Sequence, residues 1–273
     1  MKKKIAIFFN SLRGFKVFNR LKDKFLIDVY LCKKNLNIDI KNKLKNQSYK
    51  YKLLDNISPK IINDIIIKKY FLIIAAGCPY IFPEKLINAS ENGTINLHAG
   101  PLPKYKGGSP LNWQIINGEK KIGISVIKMT KALDAGPIYS QKKFIFKKKH
   151  NISHAHAKAN YYFPKMTLDT ILKIKKQIKP KSQTVNTFKV YKQRNESDGL
   201  INWNNLKSEE VVNFVKSITK PYPGAFLYIN GNKTRLFKCK NSKLNPKILP
   251  GTIFINKKKK YIKCRINSIK VDI

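Results

Sequence analysis

A chain of 273 residues, 42% hydrophobic and 11% aromatic, can bury one core of ordinary domain size and a smaller second one, and it holds no run of about 20 apolar residues that would cross a membrane as a helix. Its four cysteines, Cys32, Cys78, Cys239 and Cys264, are widely spaced and form no CxxC pair, which argues against a zinc site or a disulfide framework and for a reducing, cytoplasmic setting. The net charge of +41, from 56 basic and 15 acidic residues, points to anionic partners, yet the lysines are spread along the whole chain among many Asn and Ile, as AT-rich coding produces, so charge alone does not assign a nucleic-acid partner.

Met1-Lys2-Lys3-Lys4 mimics the basic end of a signal peptide, but Asn10, Ser11 and Arg13 cut the following apolar run short, so residues 4–9 read as a buried first strand. Two more short apolar runs, 25–31 and 71–75, alternate with polar stretches of helix length, the pattern of a parallel sheet with crossover helices. Between them, Pro59 opens a segment, 59–70, with Ile61, Ile62, Ile65 and Ile66 at helical spacing. Gly77-Cys78-Pro79-Tyr80 then ends a strand where open α/β sheets place their ligand crevice. A short helix is expected at 83–89 and a strand at 94–98, which puts Asn96 and His98 on one face, His98 near the carboxyl end. Pro101, Pro103, Gly107, Gly108 and Pro110 make an irregular loop before a helix at 111–117, and strands at 122–129 and 138–146 flank a connection carrying Asp134 and Gly136.

Residues 154–178 read as helix broken near Pro164, and the polar stretch 179–186 as a linker. Beyond it, a helix at 208–218 is followed by strands at 226–229 and 234–238 around Asn230-Gly231, and at 251–255 and 261–266 around a lysine run. The expected organisation is a Rossmann-like, mostly parallel α/β domain at 1–180, a linker at 181–195, and a small antiparallel β-rich domain at 196–273.

Taken singly, Asn96 reads as a strand residue bonding a nearby loop, His98 as a core histidine and Asp134 as a turn former. Together with Leu102-Pro103-Lys104-Tyr105-Lys106-Gly107, Pro110, Trp113, Gly118-Glu119, Gly123 and Gly136, however, Asn96-Leu97-His98 and Asp134 strongly resemble the folate-dependent formyltransferase family over about 93–141. The resemblance implies formyl transfer from N10-formyltetrahydrofolate to an amine, without a metal. Asn96 would donate to the oxyanion, neutral His98 would take the proton of the attacking amine, and Asp134 would orient and stabilise the imidazole. By the same resemblance folate lies between Gly77, Cys78, Pro79, Tyr80 and Ile81 on one side and Lys131, Ala132 and Leu133 on the other.

The stretches Gly108-Ser109-Pro110-Leu111-Asn112-Trp113 and Pro221-Tyr222-Pro223-Gly224-Ala225-Phe226 are similar to the branch that formylates nucleotide-linked amino sugars. That branch implies a dTDP-linked deoxy amino sugar as acceptor, a homodimer and a place in surface polysaccharide synthesis. Asn10, Arg13, Lys106, Gly107, Gly108, Ser109 and Tyr222 are then the substrate-binding candidates. Lys106 stands where the family commonly has Arg, which keeps the charge but loses the planar fork. Methionyl-tRNA formylation is the enzymatic alternative, and a non-catalytic basic nucleic-acid-binding protein on this scaffold is the alternative of another class. The clustered His150, His154 and His156 lack a carboxylate or Cys at ligand spacing and read as a solvated helix start.

Overall fold

The computed structural model describes residues 1–184 and 189–272. Its elements in chain order are β1 (Lys4–Phe9), α1 (Leu12–Leu21), β2 (Leu26–Cys32), α2 (Ile38–Lys45), β3 (Tyr51–Leu54), α3 (Pro59–Ile67), β4 (Leu72–Ala75), α4 (Glu84–Ile87), β5 (Thr94–His98), β6 (Lys106–Gly107), α5 (Pro110–Ile116), β7 (Lys121–Lys128), β8 (Ile138–Ile145) and α6 (Ile152–Lys175). A seven-stranded sheet has the order β3-β2-β1-β4-β5-β7-β8, with β1 to β5 parallel and β7 antiparallel to β5. Ile5, Ala6, Ile7, Phe8 and Phe9 of the central β1 are all fully buried, because a parallel strand with helices on both faces meets apolar groups on each side.

The helices behave as their sequences direct. Ser58 caps α3 by accepting from the Ile61 amide, Pro59 occupies the first turn, and Ile61, Ile62 and Ile65 are buried. α6 differs from expectation, running unbroken from Ile152 to Lys175 with Pro164 inside it. The ring removes one helical hydrogen bond, but Ala159, Phe163, Thr167 and Ile171, each fully buried at a spacing of four, hold one continuous face in the core.

The rest of the chain comprises β9 (Val190–Tyr191), α7 (Ser208–Ile218), β10 (Ala225–Ile229), β11 (Asn232–Leu236), β12 (Cys239–Ser242), β13 (Ile253–Asn256), β14 (Lys259–Lys263) and β15 (Ser268–Val271). β10 and β11 form an antiparallel hairpin, and β12-β15-β14-β13 an antiparallel four-stranded sheet. The core of this part joins Val211, Val215 and Ile218 of α7 to Leu227, Leu236, Ile262, Ile269 and Val271 of the strands.

Two compact units emerge, one of Met1–Lys106, Gly123–Lys143 and Lys158–Lys189, the other of Gly107–Ile122, Phe144–Ala157 and Val190–Ile273. The division differs from the contiguous one expected from sequence. Within the second unit, buried Asn112 of α5 donates to the Ser217 carbonyl of α7 (2.8 Å), and Ser153 donates to the Lys220 carbonyl (2.5 Å), so both early segments are tied to the late helix. Of the expected linker at 181–195, residues 185–188 lie outside the described residues.

Two of the hairpin turns of the second unit, β10–β11 and β13–β14, are built alike from different residues. Asn230 and Gly231 both have positive φ, 48° and 79°, as the type I′ turn demands. Lys257 and Lys258 adopt φ of 48° and 59° in the equivalent place between β13 and β14, where a Cβ is penalised. Replacing them with Asn and Gly (K257N/K258G) is therefore expected to stabilise the unit by about 1 kcal/mol, read as a raised denaturation midpoint.

Candidate active site

Asn96 and His98 project from β5, and Asp134 from the connection between β7 and β8, all within the first unit. His98 is 5% exposed and the Asp134 side chain 9% exposed, with His98 Nδ1 3.4 Å from Asp134 Oδ2. Asn96 Nδ2 donates to Asp134 Oδ1 over a long 3.5 Å. The structure thus brings together the three side chains singled out by spacing.

The other imidazole nitrogen fixes the tautomer. His98 Nε2 lies 2.8 Å from the Tyr105 carbonyl, and a carbonyl only accepts, so Nε2 carries the hydrogen and Nδ1 of the neutral ring presents its lone pair beside Asp134. Burial pushes the His98 pKa below the ordinary histidine value, opposed by Asp134 and the Tyr105 carbonyl and assisted by the positive charge of Arg13. Neutral imidazole is therefore the resting form near pH 7. The Tyr105 carbonyl, a backbone atom that no residue type announces, is thus a partner of the ring in addition to Asp134.

Asp134 is held in a left-handed conformation, φ +48°, which strains a non-glycine residue. Gln183, which the sequence reading did not single out, supports it. Its Nε2 donates to the carbonyls of Asp134 (2.9 Å) and Gly136 (2.7 Å), joining the segment after α6 to the loop. No local pattern marks such a residue, because its partners lie about fifty positions away and are backbone atoms. Gln183→Glu, which faces two carbonyls with a carboxylate instead of a donor, is expected to lower kcat about tenfold with a smaller change in donor KM, as steady-state kinetics would reveal.

The two stretches expected to flank folate come close to each other. Lys131 Nζ lies 3.9 Å from Glu84 Oε2 at the start of α4, so the segment before Asp134 adjoins the end of the loop 77–83. Ile81 and Leu133 are 92% and 61% exposed, apolar surface that a ligand would cover. Gly77 has φ +87°, which its lack of a side chain permits. Tyr80 is otherwise engaged, its hydroxyl donating to the Leu54 carbonyl (3.0 Å) and accepting from the Lys34 amide (3.1 Å). Cys78 Sγ lies 2.9 Å from Cys32 Sγ, although the sequence separates them by 46 positions. Both are free thiols, and the Cys78 contact together with burial raises the Cys32 pKa and keeps it protonated.

The substrate-binding candidates divide between the units. Arg13 sits in the first turn of α1 with its guanidinium 5.1 Å from the Phe163 ring, close enough for its charge to act on His98. Asn10 is buried and donates to the Lys34 carbonyl (2.8 Å), which gives it a structural task. Lys106 belongs to β6. Gly107 and Gly108 lie against the chain at Tyr191 and Gln193, where an added Cβ would stand 2.3 Å from the Tyr191 carbonyl oxygen and 2.4 Å from the Gln193 Cα. Ser109 Oγ accepts from the Arg194 amide (3.1 Å), and the Tyr222 hydroxyl lies 2.9 Å from His156 Nε2. Ser109, Tyr222 and Arg194 line one small cavity of about 150 Å³ within the second unit. Arg194, a residue the sequence reading missed, has its guanidinium 5.1 Å from the rings of both Trp113 and Phe214.

Among the described residues no helix is long and apolar enough to cross a membrane, and no group of three or more His, Cys, Asp and Glu is placed to hold a metal ion.

Known proteins resemble this chain in sequence and in fold. The bifunctional polymyxin resistance protein ArnA of Wigglesworthia glossinidia brevipalpis is 35% identical over 223 residues, covering 81% of this chain and 32% of its own. The methionyl-tRNA formyltransferase of Thermodesulfovibrio yellowstonii is 33% identical over 187 residues, covering 66% of this chain and 59% of its own. This chain thus spans about a third to three fifths of the length of these curated relatives. The crystal structure of WlaRD, a sugar 3N-formyl transferase in the presence of dTDP and 5-N-formyl-THF, shares the fold with a TM-score of 0.70 at 18% identity, over 99% of this chain and 98% of WlaRD. Residues 35–161 match the formyl transferase family and residues 194–273 its C-terminal domain, and the chain belongs to the formyltransferase family.

Proposed function

We propose that the protein transfers a formyl group from N10-formyltetrahydrofolate to the amino group of a nucleotide-linked deoxy amino sugar, dTDP-linked in the first instance, for surface polysaccharide synthesis. The observation that carries the chemistry is the buried His98 with its Nδ1 3.4 Å from Asp134, to which Asn96 also donates. The acceptor nitrogen attacks the formyl carbon, forming a C–N bond and a tetrahedral oxyanion. The Asn96 amide, whose bond to Asp134 is long, turns to donate to that oxygen. His98 Nδ1 takes the proton of the attacking nitrogen, and the imidazolium so formed is stabilised by Asp134. Cleavage of the bond to N10 then expels tetrahydrofolate, whose nitrogen receives the proton. Ile81 and Leu133 offer apolar surface to the folate, and Arg13 a positive charge to an anionic substrate.

The amino-sugar acceptor is supported by the resemblance of residues 108–113 and 221–226 to the amino-sugar branch and by the fold shared with WlaRD, a sugar 3N-formyl transferase whose structure was determined in the presence of dTDP. Homodimerisation is part of the same reading, and exposed Leu249 and Ile255 of the second unit, 79% and 71% accessible, are apolar surface that a partner copy would cover. Methionyl-tRNA is the second reading, favoured by the net charge of +41 and by the methionyl-tRNA formyltransferase relatives. The acceptors separate by salt. Affinity for a nucleotide sugar is expected to fall only modestly between about 50 and 200 mM salt, whereas tRNA held by several phosphates would lose about 10³-fold or more. Acceptor binding measured across that range with the steep loss, and turnover of tRNA only, would assign the protein to the second reading.

A further inference from the structure

The second unit contains a cavity of about 800 Å³, lined among others by Ile115, Phe146, Val212, Val215 and Phe237. Its charge is lopsided. Lys147, Lys148 and Lys149 from the turn after β8, Lys216 of α7, and Lys238 and Lys240 around the start of β12 converge on it, with Lys120 as a seventh, against the two carboxylates Glu119 and Glu209. Elsewhere lysines commonly meet acids directly, as Lys33 does Asp55 (2.7 Å) and Lys52 does Asp64 (2.8 Å).

Lys216 adds an independent observation. It is half-buried, and its Nζ donates to the Lys148 carbonyl (2.5 Å), a neutral oxygen. Burial, reinforced by the charge of Lys148, lowers its pKa. A desolvated cation held by a carbonyl and surrounded by other cations is stabilised by an arriving anion. Phe146 and Phe237 offer aromatic surface, Phe237 being 41% exposed, and His150 packs edge-on against Phe146 with ring centroids 5.6 Å apart. A volume of this size suits a small organic molecule, with lysines for phosphates and aromatic rings for a base.

We propose that this cavity binds a nucleoside diphosphate, at a site built entirely from the second unit and sharing no residue with Asn96, His98 and Asp134. The inference goes beyond the formyl-transfer reading and does not depend on it.

The test titrates dTDP into the full-length protein by calorimetry, beside inorganic pyrophosphate and an unacylated tRNA, for wild type and for the triple variant K147E/K148E/K240E. The three lysines are exposed, so the reversal leaves the packed core untouched. The expected result is a dTDP-binding event that weakens at least tenfold in the variant, while any formyl transfer keeps its kcat. If the formyl-transfer reading also holds, wild type binds two dTDP per chain and the variant one; if that reading fails, wild type binds one and the variant none. Phe237→Ala is expected to weaken dTDP more than pyrophosphate. Unchanged dTDP binding in the triple variant overturns the proposal, as does pyrophosphate binding as tightly as dTDP, or a variant that loses tRNA binding alone.

Discussion

His98→Ala is expected to reduce formyl transfer about 10³-fold, because it removes the group that takes the acceptor's proton and leaves only positioning and the Asn96 donor. The pH dependence follows from the same environment. Burial, only partly offset by Asp134 and the Tyr105 carbonyl, holds the His98 pKa below the ordinary value of 6.5. The neutral ring is the active form, so the part of the acid limb that belongs to His98 lies below pH 6.5, apart from the limb that protonation of the acceptor amine itself produces. Stability moves in the same direction. With the folded pKa depressed, the unfolded chain binds the extra proton first, so the contribution of His98 is full above 6.5 and is lost as pH falls through the folded value. A kcat/KM profile from about pH 4 to 9 checks this. An acid limb above 6.5 that exceeds the one set by the acceptor amine's own titration would place His98 in a different charge state from the one described.

Gly136→Ala is expected to cost at least about 100-fold in kcat while leaving the central sheet folded. A Cβ at this position would lie 1.7 Å from the Lys128 carbonyl oxygen and 3.4 Å from Thr130 Cγ2. The carbonyl is backbone at the end of β7, and the neighbouring Lys128 amide donates to the Pro137 carbonyl (2.9 Å), so neither partner can withdraw without breaking the ladder. The loop must move instead, and Asp134 moves with it, away from His98 Nδ1 and from the bonds Gln183 makes to the loop. Circular dichroism would verify the retained fold and steady-state kinetics the loss. Activity near wild type would show that the loop tolerates displacement and that Asp134 is not needed where the structure places it.

Much of the first unit was legible in the sequence because its strands are buried on both faces and its helices carry regular apolar spacing. β1 and β5 begin and end where the apolar runs do, and the period of two along β5 puts Asn96 and His98 on one side. β3, with the sequence Tyr-Lys-Leu-Leu and a largely exposed pattern, escaped notice because an edge strand is defined by its hydrogen bonds to β2 more than by its own hydrophobicity. β12, Cys-Lys-Asn-Ser, was hidden for the same reason, being specified by its register with β15. Pro164 misled in the opposite direction, since a local rule was overridden by a long buried helical face. At the site, residue types and spacing identified the three side chains, but the Tyr105 carbonyl, Gln183 and Arg194 act through backbone atoms or distant rings that no local pattern records. Cys32 and Cys78 make the same point, since only the sheet topology brings them together.

The central claim is tested most directly by supplying N10-formyltetrahydrofolate with a 13C-labelled formyl group to the purified protein, together with dTDP-linked 3-amino and 4-amino deoxy sugars and methionyl-tRNA, and following the label by mass spectrometry. The account predicts that one amino sugar gains a single labelled formyl group in wild type and that the gain disappears in His98→Ala. Label that stays on the folate with every acceptor, or that reaches an acceptor equally well without His98, would contradict it.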